Sequence, residues 1–539
     1  MTRRTIFTNV ANPAGAGEPI QITVADGFIE SIATEDLAVE RDPDDEVIDA
    51  GGHSVLPAFG DGHAHPQFGG IEDEFAPVRG HATIDATVDA VRSYAAQHPD
   101  ETWIQGWGYD PSLVPDGVFL AAWLDEAVAD RPVALRATDY HTVWCNSAAL
   151  EAGGINRDTP DPNDGEIVRD EQGNPLGTLR EWGATNLVLD RLPVLSRDRR
   201  IAALRRATEK MAATGLTWVQ DAWVEPDDVA TYIAALNSGA LHIRANLALR
   251  AQPGAWTSQV DEFLDLAAAV DEQNSGGWLT AHTVKFFADG VIEGGTAAML
   301  TGYTDCPCNH GIANWEPGDL STAVTAFDDA GFQIHIHAIG DAGIRMALDA
   351  LEAARNTNGI RDSRPVITHV QVVDPVDRPR FAALGIIANF EPLWAQLDSL
   401  QRVLTLPRLG ERADLQYPMR TLLHGGAPLS FGSDWPVSDY NPLPGIATAV
   451  TRQTIDSYPE GGWLAHESLT LDEAIAAYTT GSAFQAFRDD VGLAPGKVAD
   501  LILLDVDVHA VAPLDLHHAK VLGTWLAGEQ IYSAAKRTE

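Results

Sequence analysis

The sequence predicts an α/β protein: a TIM-like (β/α)8 barrel with a small β domain built from both termini and an inserted α/β subdomain. Short apolar segments alternate with helical stretches through the middle of the chain, which is the pattern of parallel βα units. Eight such segments can be found, the number that closes a barrel. The 539 residues leave room for a barrel of about 200 to more than 400 residues and a smaller companion.

The eight candidate barrel strands end in polar or glycine-rich segments and are separated by helical patterns such as 320–330, 343–356 and 471–478. About 150 residues separate the first strand from the second, which predicts an insertion at about 75–195. The strands are predicted at 55–59, 216–220, 243–249, 283–287, 333–337, 366–369, 386–390 and 429–434.

Both ends of the chain have a strand pattern without helices. Segments 20–24 and 28–33 near the start, and 501–504, 521–526 and 530–532 near the end, are short, apolar and bounded by turn residues. We therefore predict a β domain from 1–57 and 491–539, flanking a barrel from 58–490 that carries the insertion.

The charge balance excludes some partners. The chain has 77 acidic and 36 basic residues, a net charge of −41, and only five lysines. Such a field repels nucleic acids and anionic membranes. Because the acids are spread through apolar-patterned sequence, they indicate a salt-adapted, halophilic surface rather than an acidic tail, with an ordinary acidic cytosolic protein as the alternative.

Targeting signals and a disulfide framework are not expected. No run of about 18 apolar residues is present, and the segment after Arg3 and Arg4 lacks the apolar region of a signal peptide, so we expect a cytoplasmic protein. Cys145, Cys306 and Cys308 are too few for a disulfide framework. One alternative for Cys306 and Cys308, which have a histidine nearby, is a soft metal site. We favour the other alternative, a loop that happens to hold two thiols.

The clearest local motif is Gly60-Asp-Gly-His63-Ala-His65, which we place directly after the first barrel strand. In an extended segment, residues i and i+2 point the same way, so both imidazoles can face one ion. A single His-x-His pair is weak evidence, because neutral histidines also occur on structured loops. The two histidines become candidate metal ligands through the residues that follow on other strands.

Lys285 lies in an apolar strand of a chain that otherwise avoids lysine. A buried lysine is costly unless it is neutralised or paired. Carbamylation by CO2 would turn it into a carboxylate able to bridge two metal ions, whereas a structural lysine would pair with Asp289. We favour a role at the metal site.

Three further strands end in possible ligands. His337 lies nearer the end of its strand than His335. His335 is equally compatible with a position that supports the metal ligands and with a position in the core. His369 ends the next strand, and Asp434 follows the last one, before Pro436. Each has a structural alternative, but their order along the strands is informative. The predicted metal ligands are His63, His65, Lys285, His337, His369 and Asp434.

This order of ligands resembles the amidohydrolase superfamily, and finer motifs resemble its YtcJ-like branch, which includes N-substituted formamide deformylases and AepA-type exoenzyme regulators. The resemblance covers essentially the whole chain. Its motifs stand at 60–65, 103–110, 146–150, 177–181, 284–290, 337–341, 368–369, 431–436 and 492–501.

The resemblance implies a barrel joined to a composite β-sandwich domain, and hydrolysis of an amide or formamide-like C–N bond with zinc or another divalent metal, as one or two ions. Asp434 would serve as the catalytic residue that moves the proton. A small amide-like molecule is the expected partner, and homodimer formation is left open. The expected substrate-binding residues are Glu181, Trp107, Tyr109 and Asp289, although core packing is the more common use of the aromatic ones.

Two other functions remain open. A metal-dependent esterase or phosphoesterase could use the same scaffold, because the same activated water serves both chemistries. A binding or regulatory homologue could keep the barrel without the chemistry, but such a protein would be expected to lose ligands. Assays with amides, formamides and esters separate the enzymes, and bound metal per chain tests the binding protein.

The charge balance predicts that stability rises with salt. The screening length falls from about 10 Å at 0.1 M to about 3 Å at 1 M, which weakens repulsion between surface carboxylates. We expect the melting temperature to increase between low and molar NaCl. An unchanged melting temperature across that series would contradict the halophilic interpretation.

Overall fold

The computed structural model describes residues 4–15, 17–34, 42–273 and 276–537. Residues 1–3, 16, 35–41, 538 and 539 of the predicted terminal β segments therefore lie outside the described residues. The strands, in chain order, are β1 (Thr5–Val10), β2 (Ile20–Ala25), β3 (Phe28–Thr34), β4 (Glu46–Asp49), β5 (Val55–Pro57), β6 (Phe59–Ala64), β7 (Ile104–Tyr109), β8 (Val133–Ala137), β9 (Thr142–Cys145), β10 (Glu166–Arg169), β11 (Pro175–Arg180), β12 (Leu216–Val224), β13 (Arg244–Arg250), β14 (Leu279–Phe287), β15 (Gln333–Ala338), β16 (Val366–His369), β17 (Ile387–Phe390), β18 (Leu429–Phe431), β19 (Leu501–Leu504), β20 (Val521–Leu526) and β21 (Glu529–Ser533).

The α-helices mostly follow strands, as the βα pattern requires. They are α1 (Pro66–Glu72), α2 (Ile84–Gln97), α3 (Ala121–Asp125), α4 (Ser147–Ala152), α5 (Glu181–Leu189), α6 (Arg197–Ala213), α7 (Pro226–Asn237), α8 (Trp256–Gln273), α9 (Pro317–Asp329), α10 (Asp341–Asn358), α11 (Arg378–Leu384), α12 (Leu406–Leu409), α13 (Met419–His424), α14 (Pro442–Thr451), α15 (Leu471–Ala476) and α16 (Ser482–Gln485).

Eight parallel strands form the barrel, in the order β18-β17-β16-β15-β14-β13-β12-β6. β6 and β18 lie next to each other at the seam, where the backbone N–H of Asp434 donates to the carbonyl oxygen of His63 at 2.6 Å. Alternating α-helices cover the outside and bury the apolar faces of the strands. The predicted fold class is confirmed.

The first predicted barrel strand was placed wrongly. β5, at Val55–Pro57, pairs antiparallel with β19 in a terminal sheet, and the barrel begins instead with Phe59–Ala64. The Gly-Asp-Gly-His motif therefore forms the strand rather than following it. Gly60 and Gly62 make this possible, because a Cβ atom would lie 2.6 Å from Ser482 Oγ at the first and from Asn389 Nδ2 at the second. The motif is too closely packed for larger residues.

The terminal strands form two four-stranded sheets, ordered β3-β2-β1-β4 and β21-β20-β19-β5. Their apolar faces share one core, in which the Phe7 and Trp525 rings meet edge to face at 4.9 Å. This is the composite β-sandwich. The exact domain limits remain a prediction.

The insertion contains a five-stranded sheet in the order β10-β11-β9-β8-β7, with α2 to α5 around it. It has its own apolar cores, one of them built around Tyr109, Phe119 and Trp144. Among the helices of the described residues, none combines the length and apolarity needed to cross a membrane.

Closure of the barrel depends on Gly432, just after β18. A Cβ atom there would lie 2.7 Å from the backbone nitrogen of His63 and 3.0 Å from its carbonyl oxygen. We expect Gly432→Ala to destabilise the protein by about 1–3 kcal/mol, the usual cost of overpacking, measured as a lower denaturation midpoint.

Gly318→Ala is the matched control, because an added Cβ there meets nothing within 4 Å. Equal midpoints for the two variants would show that the seam tolerates a methyl group.

Candidate metal centre

The predicted ligands converge at the carboxyl ends of the barrel strands, where barrel enzymes carry their active sites. They arrive from five different barrel strands, and all are buried. His63 lies in β6 and His65 just after it, His337 in β15, His369 at the end of β16, and Asp434 after β18.

The tightest group consists of His63, His65 and Asp434, whose candidate ligand atoms all lie within 4.8 Å of one another. His65 Nε2 lies 2.9 Å and His63 Nε2 3.5 Å from Asp434 Oδ1. Nevertheless, Asp434 Oδ1 has no hydrogen bond within the described residues, because the short approach lacks hydrogen-bond alignment. The three side chains point towards a common position rather than pair with one another.

His369 lies beside this group of three side chains. Its ring centroid lies 4.8 Å from that of His63 and 4.6 Å from that of His337. Its Nδ1 is 2.8 Å from Glu391 Oε2, and Trp394 stacks on the ring at 5.2 Å. Burial lowers the pKa of His369 to about 3 despite the Asp434 charge. The neutral ring, with Nδ1 held by Glu391, leaves Nε2 as a ligand atom.

The loop after β14 holds the His337 ring in place. Its Nε2 lies 3.2 Å from the carbonyl oxygen of Gly290 and 3.7 Å from Asp289 Oδ1. Burial, together with the neighbouring imidazole of His369, lowers the pKa of His337 well below its usual value. A neutral imidazole held in this way is suited to metal binding through its other nitrogen.

Lys285 is fully buried, and its Nζ has no hydrogen-bond partner among the residues described. The pairing with Asp289 considered above does not form. The Asp289 oxygens instead accept the backbone N–H groups of Ala298, Ile339 and Gly340. Burial lowers the pKa of Lys285 to about 7 against the opposing charges of nearby carboxylates.

His335 supports His63. Its Nε2 lies 2.8 Å from His63 Nδ1, and burial lowers the pKa of both imidazoles well below the usual value. Two neutral rings share one proton in this contact, which leaves His63 Nε2 directed at Asp434. Of the two positions considered for His335, the structure places it as a supporting side chain.

The sequence reasoning missed His141. This histidine comes from the insertion, between β8 and β9, and its ring lies 5.4 Å from that of His337. Its Nδ1 is 2.8 Å from Glu181 Oε2. Burial alone would lower the pKa of His141, but the charge and hydrogen bond of Glu181, together with the charges of Asp139 and Asp434, outweigh burial and raise the pKa. Its position after Asp139-Tyr140, at the end of a strand of the insertion, was the only available signal.

The predicted substrate-binding residues occupy different positions. Glu181 lies behind His141, and its second oxygen accepts the Thr296 hydroxyl. Tyr109 is buried in the core of the insertion. Trp107 packs on Phe75 and on other aromatic rings there. Asp289 is held by backbone amides. None of the four residues lines the cavity of about 400 Å³ next to the predicted ligands. Their role in substrate binding stays a prediction.

Three site residues have left-handed backbone conformations, which cost energy for residues other than glycine. The φ angles are 58° at Glu181, 73° at His369 and 52° at Asp434. Such conformations persist only where the surrounding structure imposes them. Here they aim the side chains inward at strand and loop ends.

A cavity of about 400 Å³ opens above these groups. His141, His337, His369 and Asp434 reach its inner end, and the walls include Trp394. Its size falls within the range of about 300–1,000 Å³ usual for small-molecule sites. The site can therefore admit a small organic substrate next to the converging ligands.

The residues fit a divalent metal ion. Imidazole nitrogens and carboxylate oxygens are the ligands that zinc and similar ions take. Unsatisfied buried atoms, Asp434 Oδ1, Lys285 Nζ and His65 Nδ1, lie around the convergence point among the described residues. Cys306 and Cys308 are exposed with sulfurs 3.5 Å apart, and within the described residues they join no group of three metal-ligating side chains.

A parallel barrel with histidines and an aspartate converging at its carboxyl end defines the class of metal-dependent barrel hydrolases. The model of the Amidohydrolase family matches residues 46–532, so the chain belongs to the amidohydrolase family. Two of the relatives described next, the YtcJ protein and the N-substituted formamide deformylase, support the YtcJ-like branch.

LONG AFTER FAR-RED 3 of Arabidopsis thaliana is 33% identical over 497 residues, covering 89% of this chain and 82% of that protein. The YtcJ protein of Bacillus subtilis (strain 168) is 29% identical and covers 95% of each chain. An N-substituted formamide deformylase of Arthrobacter pascens is 27% identical and covers 94% of each.

Solved structures support the fold. An uncharacterized metal-dependent hydrolase from Pyrococcus horikoshii OT3 superposes with a TM-score of 0.73 at 22% identity, covering 95% of this chain and 99% of that one. At this identity the likeness concerns the fold alone.

The convergence of the ligands generates a test. We expect His63→Ala to lower the bound metal per chain and to abolish turnover, because it removes one of the three closest donors. Metal content by elemental analysis is the primary measurement.

His282→Ala is the control, since His282 is an exposed histidine whose only described contact is with Asp271. A His63→Ala protein with full metal content and a normal rate would contradict the assignment.

Proposed function

We propose that this protein hydrolyses a non-peptide C–N bond of an amide or an N-substituted formamide. The observation that carries the proposal is the group of His63, His65 and Asp434, of which Asp434 lines the cavity and has its Oδ1 unsatisfied among the described residues. The deformylase relative supports the formamide as a substrate.

The residues that would hold the metal are His63, His65, His337, His369 and Asp434, with Lys285 beside them. Zinc is the first choice, because its usual ligands are of this kind. When bound, such an ion lowers the pKa of water from 15.7 to about 7 and polarises a carbonyl group.

Asp434 acts as the proton carrier. Its carboxylate faces the inner end of the cavity, and its backbone is held at the seam by the carbonyl of His63. It accepts the proton of the attacking water and returns it to the leaving nitrogen, so that the amine departs neutral. The fixed backbone keeps the carboxylate in reach of both positions.

His141, with its Nδ1 held by Glu181, presents its other ring nitrogen to the cavity. Trp394, stacked on His369, adds an apolar surface to the cavity. These groups orient the substrate beside Asp434.

Lys285 is the proposed site of carbamylation. Its neutral amine attacks CO2, and the product carbamate carries the negative charge while one proton is released. The buried position and lowered pKa favour the neutral amine that this reaction needs. Reloading apoprotein with zinc, with and without bicarbonate, tests this, since equal zinc stoichiometry and activity would contradict it.

We further propose a cytoplasmic enzyme acting on small molecules without a nucleic-acid partner, with the oligomeric state open to a homodimer. Ester or phosphoester hydrolysis is the competing activity. A matched panel of formamides, amides and esters decides between them. Faster turnover of esters than of formamides would overturn the proposal.

Asp434 provides the sharpest catalytic test. Asn caps turns nearly as well as Asp but cannot accept the proton. We expect Asp434→Asn to lower kcat by about 10²–10⁴-fold, the usual contribution of general acid–base catalysis. Rate and metal content are measured together.

Asp49→Asn is the control, because Asp49 is exposed, accepts the backbone N–H of Gly51 in a turn and does not line the cavity. A folded, metal-loaded Asp434→Asn protein with near-normal turnover would show that another group carries the proton.

A further inference from the structure

One wall of the cavity is rich in hydrogen-bond acceptors. Glu293, Asp398 and Asp110 line it, together with Gln401 and Tyr417. Glu293 follows β14, Asp398 and Gln401 follow β17, and Asp110 follows β7 of the insertion. Three separate parts of the fold therefore bring carboxylates to the same space.

These carboxylates lack cationic partners. Within the described residues, no lysine, arginine or histidine nitrogen is paired with the carboxylate of Glu293, Asp398 or Asp110 in an ion pair. Their hydrogen bonds are with uncharged donors: Glu293 accepts the hydroxyl of Thr405, and Asp398 and Asp110 accept the backbone N–H groups of Gln401 and Ser112.

The nearest arginines are engaged elsewhere. Arg79 lines the cavity but pairs with Glu72, with N···O distances of 2.6 and 3.1 Å. Arg408 pairs with Asp305 at 3.1 Å, and Arg402 donates to the backbone carbonyl of Asp398 rather than to its carboxylate. Among the described residues none of these arginines forms an ion pair with Glu293 or Asp398, and the charges of Arg408 and Arg402 only partly offset the effect of burial on the pKa of these carboxylates.

Burial raises the pKa of both Glu293 and Asp398 above the usual values. Glu293 is partly exposed, and its exposed part faces the cavity. Removing carboxylates from bulk water without a counter-charge is unfavourable. Partial burial without a paired cation distinguishes Glu293 and Asp398 from the many solvated carboxylates of the surface.

Gln401 supplies an independent observation. Its side chain is only 3% exposed and lines the cavity. Its Nε2 donates to Tyr417 Oη at 3.2 Å, whereas its Oε1 has no hydrogen-bond partner within the described part of the chain. A buried carbonyl oxygen without a donor is costly, so this position is suited to a ligand that brings N–H groups.

We propose that this wall is a subsite for a positively charged, N–H-bearing group of the substrate, such as a primary ammonium, held by Glu293, Asp398 and the Gln401 side-chain oxygen. The inference rests on the proposed function for cleavage at the inner end of the cavity. It narrows the substrate class to amides or formamides whose amine part carries a second, cationic nitrogen.

A metal ion is a poorer occupant. The only described group of three or more metal-ligating side chains with ligand atoms within 4.8 Å of one another is that of His63, His65 and Asp434. The wall carboxylates do not converge in this way. An ammonium group with three N–H donors matches spaced acceptors better.

Three formamides of equal length test the subsite: N-(5-aminopentyl)formamide, N-hexylformamide and 6-formamidohexanoate, with cationic, neutral and anionic ends. At fixed ionic strength we expect kcat/KM to be about 10–100-fold higher for the cationic compound than for the neutral one, since a hydrogen bond to a charged group contributes about 1.5–3 kcal/mol. The anionic compound should be the poorest.

Glu293→Gln and Asp398→Asn should each reduce the preference for the cationic compound by about 10-fold or more, while turnover of N-hexylformamide stays within about 3-fold. Using both variants keeps the test decisive if one fails to fold. Glu411→Gln is the matched control, because Glu411 is exposed and does not line the cavity. A preference unchanged in both cavity variants would overturn the subsite.

Binding separates this inference from the proposed function. Calorimetry compares pentane-1,5-diamine with hexylamine on the zinc-loaded protein. Tighter binding of the diamine that is lost in Glu293→Gln supports the subsite even if no formamide is hydrolysed. Formamide turnover without a cationic preference would instead leave the proposed function intact and refute the subsite.

Discussion

The seam between the first and last barrel strands is the constraint on which the site depends. The Asp61 carboxylate accepts the backbone N–H groups of His63 and Ser433, at 3.1 and 3.0 Å, and also the Ser433 hydroxyl. Burial raises the pKa of Asp61 to about 7 although these donors oppose the shift. One carboxylate therefore ties together the two strands that deliver His63 and Asp434.

The same seam explains why small residues surround the ligands. Gly62 and Gly432 let the backbones of β6 and of the segment after β18 approach within contact distance. A larger residue at either position would separate the strands, and with them the ligands. Packing at the seam and ligand geometry are thus set by the same contacts.

Buried polar partners also support two of the ligands. Glu391 holds His369, and His335 holds His63. The insertion adds the pair of His141 and Glu181 from outside the barrel. Buried polar groups are stable only when they are satisfied, so these pairs fix ring orientation as well as contributing hydrogen bonds. Three of the buried atoms without a hydrogen bond among the described residues, Asp434 Oδ1, Lys285 Nζ and Gln401 Oε1, lie at the metal site or the cavity wall, where a ligand can reach them.

The sequence by itself determined the fold class, the strand rhythm and the order of candidate ligands, because side-chain periodicity and strand-end residues are local properties. β16 lies where the pattern placed it, whereas the first barrel strand was displaced because β5 and β6 are separated by a single residue and only sheet pairing distinguishes them. His141 could not be assigned, since its neighbour His337 lies almost 200 positions away in the sequence. The tertiary structure alone decided that Lys285 is unpaired, that Tyr109 is core, and that Glu293 and Asp398 share a wall. These properties depend on which segments, far apart in the chain, come into contact in the fold. A local sequence pattern does not encode such contacts.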